Sequence, residues 1–145
     1  MLSSSTLVLH ENSIRENIKK VLLPTSHDSD IENKLNKAVK IIGKSAKYIF
    51  HGIKVNQSMD EVLLARMKTA REFMQAQNIY FEVVLEEVKV FSPGFSKQTI
   101  TFVDEHPVDM ICLSIEAAPE NAFYSNNDTE NIILNHSGLP VLCIR

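Results

Sequence analysis

The sequence predicts an α/β layered domain built on a parallel sheet. Short apolar runs alternate along the chain with longer segments of helical periodicity, the pattern of strand-helix-strand units. The runs are rich in Leu, Ile and Val without strict polar alternation, as in a sheet covered on both faces. With 145 residues, 44% hydrophobic and 23% charged, the chain has the size and composition of one domain with one buried core. Right-handed crossovers then place helices on both faces of the sheet, giving three layers.

The elements follow in order. Lys20-Val21-Leu22-Leu23-Pro24 is a short strand closed by proline. Over residues 30–43, Ile31, Leu35, Ala38, Val39 and Ile42 line one helical face. Ser29 with Glu32 forms a capping box at its start and Gly43 ends it. Tyr48 to Ile53 is the next strand. A second capping box, Ser58 with Glu61, opens a helix to about Gln77 with Leu63, Met67, Ala70 and Met74 inward. Tyr80 to Leu85 is a strand. Ser92-Pro93 is a helix start, with Phe95, Thr99, Phe102 and Val103 on one side. Val108 to Ile115 is a strand, followed by a polar stretch from Glu116 to Asn127 and a short helix to His136. Val141 to Ile144 is the last strand, after Gly138 and Pro140.

Residues 1–19 stand outside this unit. Thr6-Leu7-Val8-Leu9 reads as an extra strand, and His10 to Lys19 as a polar link. Two readings are open: a strand and linker from an upstream domain of a tandem protein, or an edge strand of a standalone domain. Residues 20–145 form the main domain on either reading.

Composition excludes several function classes. A net charge of −3 and a pI near 5.9 disfavour nucleic acid, which needs Lys and Arg to neutralise phosphates. No apolar run approaches a membrane span, and residues 1–10 lack the cationic flank of a signal peptide. A cytoplasmic location is expected. Cys112 and Cys143, both in apolar strands, read as reduced core residues, with a disulfide as the alternative. The four glycines, Gly43, Gly52, Gly94 and Gly138, are too scattered for a dinucleotide fingerprint or a phosphate-binding P-loop. Gly43-Lys44-Ser45 ends a helix, whereas a P-loop begins one.

The histidines and cysteines show no metal-ligand spacing. His51, at a strand end, is kept as a cleft residue. Asp104-Glu105-His106 reads as a solvated helix end. Lys34, Lys37, Lys40, Lys44 and Lys47 read as the solvated face of the first long helix. Asn127-Asp128-Thr129 and Asn135-His136-Ser137 match the glycosylation sequon without meaning for a cytoplasmic chain.

From Lys20 to Arg145 the order of segments resembles the universal stress protein family. Lys19-Lys20-Val21-Leu22-Leu23-Pro24 is similar to its opening strand, and Phe50-His51-Gly52 to the end of its second. Val108-Asp109 with the four apolar residues Met110 to Leu113 resembles its fourth strand. His136 to Arg145 resembles its ending, and Thr6 to Asn12 looks like the last strand and linker between tandem members. The resemblance implies a five-stranded parallel sheet of order 3-2-1-4-5, Rossmann-like and similar to the adenine nucleotide alpha hydrolases. Ligands would sit at the carboxyl ends of strands one and four, where the order reverses.

ATP-binding members carry Gly-x2-Gly-x9-Gly-Ser/Thr after the fourth strand. Those positions fall here on Ser114, Ala117, Asn127 and Asp128, so the length is kept and every motif residue is changed. Asp128 brings a carboxylate where the family has a hydroxyl. Glu116 and Glu120 add negative charge, and no Lys or Arg lies between Ser114 and Asp128. Like charges a few ångströms apart in such a cleft cost roughly several kcal/mol at an effective dielectric near 20. The family's acidic residue after the first strand aligns with Ser26, with Asp28 as a candidate substitute.

The resemblance therefore implies a non-catalytic dimerisation or regulatory module in stress response, with no cofactor. Thr25, Ser26, Asp28, His51, Gly52, Ser114, Ala117, Asn127 and Asp128 would line its degenerate cleft. The alternatives are a binder of ATP or another small ligand in that cleft, and a weak nucleotide hydrolase. The expected partner is a second copy, or a tandem domain, paired through Val141, Leu142, Cys143 and Ile144. An unidentified protein partner is also expected.

Overall fold

A computed structural model of the chain describes residues 6–8, 18–25, 30–89, 95–114, 132, 135 and 138–144. Its strands are β1 (Thr6–Val8), β2 (Lys20–Pro24), β3 (Lys47–Lys54), β4 (Phe81–Glu87), β5 (Met110–Ser114) and β6 (Val141–Ile144). Its helices are α1 (Ile31–Ile42), α2 (Gln57–Ala76) and α3 (Phe95–Glu105). They form one sheet in the order β1-β6-β5-β2-β3-β4. The pairings β2–β3, β3–β4, β2–β5 and β5–β6 are all parallel, so β2 to β6 realise the expected 3-2-1-4-5 arrangement. β1 adds a sixth strand, antiparallel to β6. Of the short helix expected before His136, only Ile132 is helical among the described residues.

Side-chain alternation along the strands decides which helix covers each face. Val21 and Leu23 of β2, with Tyr48 and Phe50 of β3, pack with Ile31, Leu35 and Ala38 of α1 and with Leu63, Met67 and Met74 of α2. Leu22, Ile49 and Ile111 point the other way, toward Phe102 and Val103 of α3 and toward Ile132 and Leu139. The same alternation settles the cysteines. Both are free and buried, Cys112 in the first cluster and Cys143 in the second, on opposite faces of the sheet.

Local signals place the helices, with two shifts. The cap of α1 falls one residue after the expected one: Asp30 is the N-cap, and its Oδ1 accepts the Asn33 N–H at 3.0 Å. Ser29 lies outside the described residues. In α2 the cap is Asn56, whose side chain accepts the Met59 N–H, not Ser58. Asn caps at least as well as Ser, and it comes first in the chain. Gly43 ends α1 as expected. Its φ of 97° is a conformation other residues resist, and its N–H reaches Val39 O at 2.9 Å.

The lysine face also needs correction. Lys34 is 1% exposed, and its ammonium donates to Pro24 O at 2.9 Å. It lies three residues after Ile31 and four before Ala38, so it falls on the buried stripe, where its long stem packs as an apolar chain. Lys47 belongs to β3 and pairs with Glu82 at 2.9 Å.

Two polar clasps hold the strand starts. Asp109 Oδ2 accepts the N–H groups of Lys19 and Lys20 at 3.0 and 2.9 Å, and its own N–H donates to Lys20 O at 2.9 Å. The aspartate ahead of β5 thus ties the amino ends of β2 and β5 together. Asn135, 5% exposed, shapes the turn into β6. Its amide donates to Ile132 O and Leu139 O, and its Oδ1 accepts the Leu139 N–H at 2.8 Å. This burial gives the residue a structural role that the sequon reading did not contain. Asn135→Ala removes the side-chain partner of the Leu139 N–H and C=O in the core, so it should cost roughly 1–3 kcal/mol in a urea unfolding titration.

Candidate functional site

The carboxyl ends of β2, β3 and β5 form the candidate site. β2 and β3 pair at five positions, and β5 and β6 at four. β2 and β5 pair only at Val21↔Met110 and Leu22↔Ile111, although the strands run on to Pro24 and Ser114. The two strands at the reversal of order stop pairing before their carboxyl ends, the place where sheets of this kind form a ligand crevice.

The β2 side of this crevice is closed by internal bonds. Thr25 is fully buried, and both its N–H and its Oγ1 donate to His51 O, at 3.0 and 3.1 Å. Its Oγ1 also lies 3.5 Å from Met67 Sδ. Lys34 holds the preceding carbonyl, that of Pro24. The end of the central strand is therefore fixed from both neighbouring elements, and the Thr25 hydroxyl already has an acceptor.

His51 points to the α3 face. It is 1% exposed, and its Nε2–H donates to Glu86 Oε1 at 2.6 Å, since the carboxylate can only accept. Its ring lies over Phe102 at 4.5 Å between centroids with a 30° tilt. Phe102 in turn stacks on His106 at 4.3 Å and 16°. The His106 Nδ1 donates to Phe102 O at 3.1 Å. Burial, the largest influence, pushes the His51 pKa below its ordinary value of 6.5. Glu86 pulls against that push, and the positive potentials of His106 and Lys89 add to it.

Gly52 faces α2. A Cβ there would come within 2.9 Å of Leu63 Cδ1 and of Met67 Cε, so the missing side chain lets α2 approach the sheet. Ser114 closes β5 and is half-buried. Thr25, His51, Gly52 and Ser114 thus all lie at the carboxyl end of the sheet. The remaining predicted site residues, Ser26, Asp28, Ala117, Asn127 and Asp128, lie outside the described residues, as do Glu116 and Glu120.

Sequence reasoning missed Glu86, Phe102 and Lys34 as parts of this end. Asp104, Glu105 and His106 are exposed, as a helix end should be, but the His106 ring belongs to the stack on His51. Parallel pairing puts Glu86 opposite Ile53, on the same face as His51. That neighbourhood needs the register, which no local motif carries. Among the described residues, no group of three or more His, Cys, Asp or Glu could hold a metal ion. A groove of about 410 Å³, lined by Lys19, Lys20, Asp104 and Asp109 among others, lies at the amino ends of the strands, away from the crevice.

No family model and no curated protein matches the sequence. Solved structures do match the fold. One is a universal stress protein from Archaeoglobus fulgidus DSM 4304, with a TM-score of 0.66 and 13% identity over 99% of this chain and 50% of that one. A member of the universal stress protein family from Burkholderia pseudomallei gives 0.65 and 13%, covering 90% of this chain and 98% of its own. Another universal stress protein from Archaeoglobus fulgidus gives 0.63 and 13%, with 89% and 95% covered. The chain has the fold of the universal stress proteins. It spans half the length of the first Archaeoglobus chain. No helix among the described residues is long and apolar enough to cross a membrane.

The depressed His51 pKa makes stability depend on pH. The unfolded chain binds a proton near the ordinary value of 6.5, and the folded chain only at lower pH. Between the two, protons favour unfolding. The stability contributed by neutral His51 is complete above pH 6.5 and is lost as pH falls toward the folded value. Urea midpoints should fall across that window, and His51→Gln, which keeps an N–H donor for Glu86 but does not titrate, should flatten the slope.

Proposed function

We propose that this chain is a degenerate member of the universal stress protein family. It works as a non-catalytic dimerisation or regulatory module of the cytoplasm, active in stress response and without a resident nucleotide. The shared fold supports the family reading. The composition of the segment from Ser114 to Asp128 supports the loss of nucleotide. It has no glycine, no Lys or Arg, and three acidic residues where backbone N–H groups would wrap phosphates. The Thr25 hydroxyl, already bonded to His51 O, and Gly52, held against α2, agree with this reading.

The observation that carries the pairing role is at β6. Its outer edge accepts an antiparallel apolar strand, here β1. The match across 99% of this chain but half of a longer universal stress protein favours reading residues 1–19 as the last strand and linker of an upstream domain. A small ligand in the crevice between β2 and β5 is the second reading, favoured by the early end of their pairing. A nucleotide hydrolase has the least support, since no phosphate cradle or positioned base stands in the sequence.

Calorimetric titration tests the nucleotide part. ATP should give no binding heat in the micromolar range. Micromolar binding that is abolished by Ser114→Ala or Asn127→Ala would overturn the reading in favour of a nucleotide site.

A further inference from the structure

The outer edge of β6 holds a feature that the five-stranded core does not require. A terminal strand leaves a row of N–H and C=O groups open to pairing. β1 takes that row, with Thr6 opposite Cys143, Leu7 opposite Leu142 and Val8 opposite Val141. This is the one antiparallel pairing among the described strands, and its register centres on a leucine pair.

β1 and β6 are alike. Thr6-Leu7-Val8-Leu9 and Val141-Leu142-Cys143-Ile144 each set a leucine between smaller residues and follow with another aliphatic residue. A second β6, related by a two-fold axis at Leu142, would set Val141 opposite Cys143 and Leu142 opposite Leu142. It would run in the direction β1 runs and bring a leucine to the place of Leu7. Such an isologous contact is self-complementary and closed. The seat that β1 fills is thus the seat of the same strand from a second copy.

We propose that β1 is a cap in cis which competes with a second copy of this chain for the β6 edge, so that dimerisation waits on the release of β1. The inference rests on the dimerisation reading above and adds its control. The tether supports competition. From β1 to β2 the chain crosses three interstrand spacings, roughly 14 Å. Residues 9–19, if extended, could reach roughly 36 Å. A strand tethered within such reach has an effective concentration in the millimolar range. Free copies at micromolar concentration, offering a strand of equal quality, lose to it. The hold is nevertheless short: three residue pairs, against four between β6 and β5. A modest weakening of β1 therefore shifts the balance.

Light scattering of the full chain and of Leu7→Pro, each followed from about 1 µM to about 100 µM, tests the cap below the effective concentration of the tethered strand. Proline fixes the backbone of a strand held by only three residue pairs and so weakens its pairing. The natural chain should remain at 16.4 kDa, and Leu7→Pro should shift toward twice that mass as concentration rises. Hydrogen exchange gives the second readout. Protection of Val141 to Ile144 should be independent of concentration in the natural chain and concentration-dependent in Leu7→Pro. A natural chain that is already dimeric overturns the cap and leaves the dimerisation reading standing. A folded Leu7→Pro that stays monomeric overturns both. An unfolded Leu7→Pro overturns the cap, because a strand the fold cannot lose is no gate.

Discussion

The enclosure of β2 sets the terms for the rest of the molecule. Val21, Leu22 and Leu23 have no exposed surface, with β3 on one edge, β5 on the other and helices above and below. Each such aliphatic side chain contributes about 1.5–3 kcal/mol by leaving water, provided both faces of the sheet are covered. Parallel neighbours require long crossovers, and those crossovers are the helices that do the covering. The burial of β2 and the presence of α1, α2 and α3 are one requirement seen from two sides. Asp109 completes it by holding the starts of β2 and β5 level.

The same enclosure limits what the carboxyl end can offer a ligand. Pro24 O is taken by Lys34, His51 O by Thr25, and the His51 ring by Glu86 and Phe102. These groups serve the fold first. A phosphate would have to be met by the segment after Ser114, whose composition is acidic and free of glycine.

What the sequence made legible and what it hid follow from the range of each signal. The apolar run of β2, the stripe of α1 and the stop at Gly43 are local, and each appears where the residues predict it. Asn56 in place of Ser58 shows the limit of local signals, since two capping residues within three positions compete and a pattern alone does not rank them. Lys34 was hidden because its residue type argued against the face its spacing assigned. Glu86 beside His51 was hidden for a different reason. Their contact depends on how two parallel strands align, and residues 35 positions apart carry no mutual period.

The two edges of the sheet show a division of labour that neither edge reveals alone. β4 ends one side and carries charge: Glu82 pairs with Lys47 and Glu87 with Lys54, both at 2.9 Å, and Glu86 lies between them. Exposed pairs of this kind add little stability, but charge along an edge discourages another strand from docking. β6 ends the parallel series on the other side with Val141-Leu142-Cys143-Ile144 and has no charged residue. An uncharged edge of that composition attracts strands, and here it is covered by one. One edge is thus guarded by charge against any partner. The other is covered by β1.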